Sequence, residues 1–448
     1  MDETPRAGRG AALSRASVAV ALGLLAAAVA AWRLGAVTLG TAWAEDAGRF
    51  LRDRIALGPV DSLLHPYAGY LHLVPRLLVD AAWALPVQWY AVALALGACG
   101  IVGVAATAVT VLARDVVPWW PARVLLALVP ALVPLGPYEV LGNAANVHWT
   151  LLFLAPWLFA YQARTWSGAA VQAALAALVV LSEVQAVLFL PLLALALLPG
   201  PTARTPGGRA SGRVRAVPVV VLALGGSAAQ VVTAVTTHRA SRPGGAGATD
   251  IVAGWLLQPV AALWQPDVGA VVRAVAVDGW AAVLVPVGIL VLLLVAAAVV
   301  APWRTRWFLL ATTTASLAVW WAALSANPVH VPWASPSESL GRVPPLRYAA
   351  PSGAFLLAAT LVAAGALARH RRTGVVLARI GGWALVGVVV VATLGNAAPG
   401  PTRRADGPIW ADQVAAARVA CERDPGGTVV VRAAPWDATV PCGRLVGR

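Results

Sequence analysis

Apolar runs dominate this chain. Near-continuous stretches rich in Ala, Val and Leu recur at 12–37, 87–113, 119–136, 147–163, 168–182, 184–199, 216–237, 279–302, 307–325, 347–368 and 380–397. Several approach or exceed the ~20 residues that cross a bilayer's hydrocarbon core, so the pattern predicts about eleven membrane-spanning helices. One boundary needs an argument. Residues 168–199 as a single helix would be about 48 Å long at ~1.5 Å per residue, against a core of roughly 30 Å. The strongly polar point in that run is Ser182-Glu183-Val184-Gln185, which predicts two short helices or a re-entrant hairpin turning there. Such a break is tolerated where it is buried in protein or lines a cavity. The pattern changes after the last run. The segment 398–448 reads as a helix at 409–422, a turn at Asp424-Pro425-Gly426-Gly427 and a strand at 428–433. The expected architecture is an all-α polytopic membrane domain, 1–397, followed by a small α/β tail, 398–448, that packs on neighbouring loops.

Composition agrees with that class and charge orients it. Hydrophobic residues make up 60% and charged residues 12% of the chain, against roughly 25% charged in soluble domains. The net charge of +14 comes entirely from Arg, since the chain has no Lys. It does not point to nucleic acid, because the arginines gather near span ends. Arg6, Arg9 and Arg15 lie before or at the start of the first run, and Arg114, Arg123, Arg164, Arg204, Arg209, Arg213, Arg215, Arg304, Arg306, Arg369, Arg371, Arg372 and Arg379 lie at or near the ends of later ones. All fall on one side if the N-terminus is cytoplasmic, as the positive-inside rule requires. The extracytoplasmic side then receives 38–86, 136–146, 238–278, 326–346 and the tail. The Ala/Val/Arg/Gly-rich, Lys-free composition suggests a high-GC bacterium and a multi-pass plasma-membrane protein. The first run lacks a convincing cleavage site and reads as an uncleaved helix.

Candidate chemistry lies on the extracytoplasmic side. Glu45 and Asp46 are adjacent carboxylates in a charge-poor chain, where the first span emerges. Carboxylates can accept a proton from a hydroxyl or ligate a divalent cation; a solvated helix N-terminus is the plainer alternative. Asp46 is the preferred base, with Glu45 as its partner or as a ligand. Residues 61–76 carry His65, Tyr67, Tyr70, His72 and Arg76 and read as an interfacial helix. These side chains either anchor the interface or line a groove for a lipid headgroup, with Arg76 suited to phosphate. Glu139 and His148 are candidates for a second acid, base or ligand, and Asn146 for substrate contact or helix capping. Arg342 and Arg347 run against the usual charge bias, which phosphate binding or snorkelling at a helix end would explain. Cys421 and Cys442 share the tail, where a disulfide is plausible.

The sequence has no P-loop, no Gly-rich dinucleotide loop after a strand, no Cys-x-x-Cys pair and no His-Glu-x-x-His. A cytoplasmic N-terminus, an acidic motif in the first outer loop, an interfacial helix behind it and short broken spans resemble the GT-C superfamily of integral membrane glycosyltransferases, and Trp43 to Phe50, Pro66 to Arg76, Asn146 to Trp149 and Arg347-Tyr348 more narrowly resemble a bacterial group of GT-C-like organisation, well over the first 200 residues or so and loosely beyond. The resemblance implies transfer of a sugar from a polyprenyl-phosphate donor to an envelope glycan, lipid or protein, on the extracytoplasmic face, with inversion. It implies Asp46 as the catalytic acid of the first loop and Glu139 as a second-loop acid; the mechanism expected on that basis has Arg347, with Arg342 or Arg76, hold the donor phosphate and Asp46 deprotonate the acceptor hydroxyl. The pair here is Glu-Asp, whereas the family often has Asp-x-Asp or Asp followed by Asp or Glu. That leaves the choice between Glu45 and Asp46, and the use of a divalent cation such as magnesium or manganese, open. The competing expectations are a lipid-sugar flippase or transporter and a non-catalytic envelope assembly protein.

Overall fold

A computed structural model describes residues 6–198, 206–237, 239, 244–371 and 374–447. Among them, eight helices are long and apolar enough to cross a membrane, at Ala16–Gly40, Val87–Asp115, Trp120–Glu139, Gly212–Thr236, Ala281–Val300, Trp303–Ala326, Ala349–Ala368 and Val375–Gly395. The architecture is helical and polytopic. Shorter apolar helices lie at Val147–Ala160, Trp166–Val180 and Val184–Leu197. At 1.5 Å per residue the first is roughly 20 Å long, and burial makes up for its length. Every residue of Val147–Ala160 is buried, as a helix apolar on all sides requires. It packs beside Ala349–Ala368, which is also almost wholly buried. By contrast, Ala281–Val300 exposes Leu284, Val285, Ile289, Leu292 and Val299, a surface suited to lipid.

The expected break in 168–199 occurs at Ser182-Glu183, and the chain around it shows why it is stable. Ser182 Oγ accepts the Val74 N–H at 2.9 Å, and the Leu181 carbonyl accepts the Leu73 N–H at 3.1 Å. The freed polar groups are thus satisfied inside protein.

Several expectations need correcting. Residues 61–76 do not form one interfacial helix. Helices Arg52–Asp61 and Leu73–Trp83 flank a tight loop in which Tyr67 and Tyr70 exchange backbone hydrogen bonds of 3.0 and 3.1 Å. Pro66 interrupts the helical pattern, and Ala68 and Gly69 have φ of 51° and 87°, which a right-handed helix excludes. The region 238–278 is not simply a loop, since it holds helices Ala248–Trp255 and Val268–Asp278. Arg209, Arg213 and Arg215 belong to the first turns of Pro206–Thr236; Arg204 and Arg372 lie outside the described residues.

The tail contains the expected helix, Trp410–Arg423, and strand, Thr428–Arg432, and a second strand, Asp437–Pro441, pairs antiparallel with the first. Cys421 and Cys442 form a disulfide with a Cα separation of 4.9 Å. The tail docks on the loop after the first span: the Trp410 indole donates to the Val87 carbonyl at 2.8 Å, and Ala434 bridges Trp43. The disulfide closes a sequence separation of 21 residues, for which chain entropy gives about 3 kcal/mol. Replacing both cysteines by Ser is therefore expected to make the tail sensitive to protease while the helical body keeps its far-UV circular dichroism. Unchanged resistance would mean that docking alone holds the tail.

Candidate functional site

The first loop starts with a wide, π-helical turn over Asp46–Leu51, and that turn sends Glu45 and Asp46 in different directions. Asp46 points into protein and is 1% exposed. Its two carboxylate oxygens accept the Ala144 N–H at 3.0 Å and the Ala145 N–H at 2.7 Å. The Tyr90 hydroxyl donates to its carbonyl at 2.7 Å. Burial pushes the Asp46 carboxyl up to about 7, against those two hydrogen bonds and the nearby Arg404 guanidinium. Arg404 is itself buried and donates to the carbonyls of Thr41, Leu141 and Gly142 at 3.2, 2.8 and 2.9 Å. Asp46 and Arg404 together pin the 141–146 loop to the end of the first helix.

Glu45 faces the other way, into a cavity of about 380 Å³ shared with Tyr67, Tyr70, His72, His148 and Arg347. Its Oε1 lies 3.9 Å from an Arg347 nitrogen, and its Oε2 is buried with no hydrogen-bond partner among the described residues. Arg347 comes from the loop before Ala349–Ala368 and joins a charge chain. It donates to Glu139 at 3.1 Å, and the other Glu139 oxygen accepts from Arg403 at 3.1 Å. Burial alone would pull the Arg347 guanidinium down, yet Tyr348, Glu139 and Glu45 hold it above its ordinary value.

The remaining wall is polar and aromatic and carries one further acid, Glu183, and one further cation, Arg239. His72 is buried. Its Nε2–H donates to the Tyr67 carbonyl at 3.1 Å, so Nδ1 keeps a lone pair and has no partner among the described residues. Burial, with His148 and Arg76 nearby, lowers His72 well below the usual histidine range. Burial likewise raises the Tyr67 and Tyr70 phenols, which keeps them protonated and able to donate. Tyr70 lies against His72 with ring centroids 4.0 Å apart. Glu183, at the broken helix, hydrogen-bonds His148 Nδ1 and accepts the Gln185 N–H at 2.7 Å. Asn146 lines the same cavity, while its amide also donates to Asn143 at 2.9 Å.

Comparison with known proteins adds no relative. No protein-family model matches the sequence, and no curated protein or solved structure shows significant similarity to it. What the cavity can do must therefore be argued from its own side chains.

Of the candidates read from sequence, the cavity gathers Glu45, Tyr67, Tyr70, His72, Asn146, His148 and Arg347, but not Asp46, His65, Arg76, Glu139 or Arg342. Arg76 is buried beneath it, donating to Asp53 at 3.0 Å with its guanidinium 5.0 Å from the Phe50 ring. Glu139 serves as a bridge between arginines, and Arg342 lines a different cavity. Glu45 and Asp46 do not converge as a cation-binding pair, because both Asp46 oxygens are taken by backbone N–H groups. Among the described residues no cluster of three or more His, Cys, Asp or Glu could hold a metal. Arg403 and Arg404 were missed from sequence. The reasoning that singled out Arg347, a cation on the acid-bearing side, applies to them equally.

Proposed function

We propose that this chain transfers a sugar from a polyprenyl-phosphate donor to a hydroxyl of an envelope acceptor, in a cavity on the extracytoplasmic side of a bacterial plasma membrane. One observation carries this reading: Glu45, whose Oε2 has no hydrogen-bond partner among the described residues, and the cation Arg347 line one cavity with polar and aromatic side chains and with Glu183 and Arg239. A sugar offers hydroxyls to that wall and a phosphate to the cation. The cavity lies where spans end, since Ala322, Ala323 and Ala326 of the Trp303–Ala326 helix line it beside the polar loops. A lipid-linked donor would keep its chain in the bilayer and its headgroup in this cavity.

Glu45 takes the role that the sequence suggested for Asp46. The acceptor hydroxyl oxygen attacks the anomeric carbon and its proton passes to Glu45 Oε2. The bond from that carbon to the phosphate oxygen breaks with inversion, and the electron pair leaves on the phosphate. Arg347 stabilises that charge, exchanging part of its contact with Glu139 for the phosphate. Tyr67, Tyr70, His72 and Asn146 orient the hydroxyls, and no covalent enzyme intermediate is needed.

The test uses membranes carrying the full chain and a panel of polyprenyl-phosphate monosaccharides. Arg347→Ala is expected to lower transfer about 100-fold or more, the scale for one charge-stabilising donor, and Arg347→Lys to restore only part of it, since a point charge lacks the guanidinium fork. Transfer by Arg347→Ala at the wild-type rate would refute the assignment.

A further inference from the structure

The Glu45 cavity has a neighbour. A second cavity, of about 590 Å³, opens on the same face behind a shared wall. Pro137 and Tyr138 line it, while the next residue, Glu139, holds Arg347; likewise Arg342 to Pro345 line it, while Arg347 and Tyr348 line the Glu45 cavity. Its wall is largely apolar and rich in proline. Into this wall come two guanidinium groups, Arg33 and Arg342.

Among the described residues no acid pairs with either of them. Arg33 is 1% exposed, and one terminal nitrogen donates to the Ala131 and Val133 carbonyls at 2.6 and 3.3 Å. Those carbonyls end the Trp120–Leu132 helix, whose dipole favours a cation there. Arg33 Nε has no hydrogen-bond partner among the described residues. The acid in the cavity wall, Asp267, is already engaged: Arg273 donates to it at 2.9 Å, and it caps the Ala270 N–H at 3.1 Å. The backbone beside Arg342 is closely packed, because a Cβ on Gly269 would meet the Gly341 carbonyl oxygen at 2.1 Å. Burying a cation without a counter-charge is expensive; this cavity holds one such cation, Arg33, in its floor and the exposed Arg342 at its rim.

We infer that this second cavity binds a phosphate monoester carried on an apolar chain. The dianion sits between Arg33 and Arg342, where a charge of about −1.5 to −2 matches two guanidinium groups. The chain lies along Leu135, Val268, Pro344 and Pro401. This site is separate from the sugar-transfer cavity and does not depend on the reaction proposed there.

Calorimetric titration of the chain in phosphatidylcholine nanodiscs tests the inference, with empty nanodiscs subtracted. The probes are decyl phosphate, inorganic phosphate and, as a neutral control, decyl glucoside. Saturable binding of decyl phosphate is expected, at least about 10-fold tighter than either other probe. In an Arg347→Ala background, which removes the phosphate partner of the Glu45 cavity, binding should persist, and Arg342→Glu, at an exposed position, should weaken it about 10-fold or more. Equal affinity for inorganic phosphate would overturn the role of the apolar wall. Equal affinity for decyl glucoside, or wild-type binding by Arg342→Glu, would overturn the site. Loss of binding in Arg347→Ala would place the phosphate in the Glu45 cavity and overturn it as well.

Discussion

Glu45→Gln is expected to slow sugar transfer by about 100- to 10,000-fold, the usual contribution of a general base, while leaving the thermal unfolding temperature unchanged. The substitution keeps the shape of the side chain and removes its ability to take a proton. Glu45 holds no part of the fold in place: Oε2 has no hydrogen-bond partner among the described residues, and Oε1 sits 3.9 Å from Arg347. A half-buried ion pair at that distance contributes little to stability. Arg347 also keeps its Glu139 and Tyr348 contacts at 3.1 and 3.3 Å in the variant, so binding of the donor phosphate should survive. The loss should therefore fall on kcat rather than KM. The measurement is transfer from polyprenyl-phosphate monosaccharides alongside a melting curve of the same preparation. Transfer at the wild-type rate with an unchanged melting temperature would remove Glu45 from the chemistry.

How far the sequence foretold this site depends on the scale of the feature. The long spans were legible because length and apolarity are local properties. The break at Ser182-Glu183 was legible because a polar point in so long an apolar run admits few other arrangements. The loop 61–76 was not: its aromatic and apolar residues suit an amphipathic helix, and the positive φ at Ala68 is invisible in the sequence. The strand Asp437–Pro441 was missed because it is short and buries just Ala438 and Val440. Least legible was the division of labour between Glu45 and Asp46. Adjacent residues carry the same chemistry, and the π-helical turn together with two distant N–H groups, at Ala144 and Ala145, decides which one faces the cavity. That Glu139 is tied up by Arg347 and Arg403 likewise follows from loops brought together by the whole fold.

Asp46→Ala should do the opposite of Glu45→Gln and act on stability first. It leaves the Ala144 and Ala145 N–H groups buried without an acceptor and removes the carboxylate nearest in effect to the buried Arg404. Breaking a buried polar network from one side costs about 3–5 kcal/mol. The melting temperature should drop and the 141–146 loop should loosen, carrying Ala145, Asn146 and His148 of the cavity wall with it. Activity would fall too, but in parallel with the folded fraction. The pH dependence separates this role from a catalytic one. The folded carboxyl is raised to about 7, above the roughly 3.9 of an unfolded Asp. Between about pH 4 and 7 the folded protein then holds a proton that the unfolded chain has released. Its stability therefore falls as pH rises through that window and levels off above it. Asp46→Ala lacks this slope, so the gap in melting temperature between wild type and variant should be widest near pH 4–5 and narrow toward pH 7. A gap that instead widened with rising pH would mean that Ala144, Ala145 and Arg404 hold Asp46 ionised across the whole range, and that its charge, not its burial, anchors the loop.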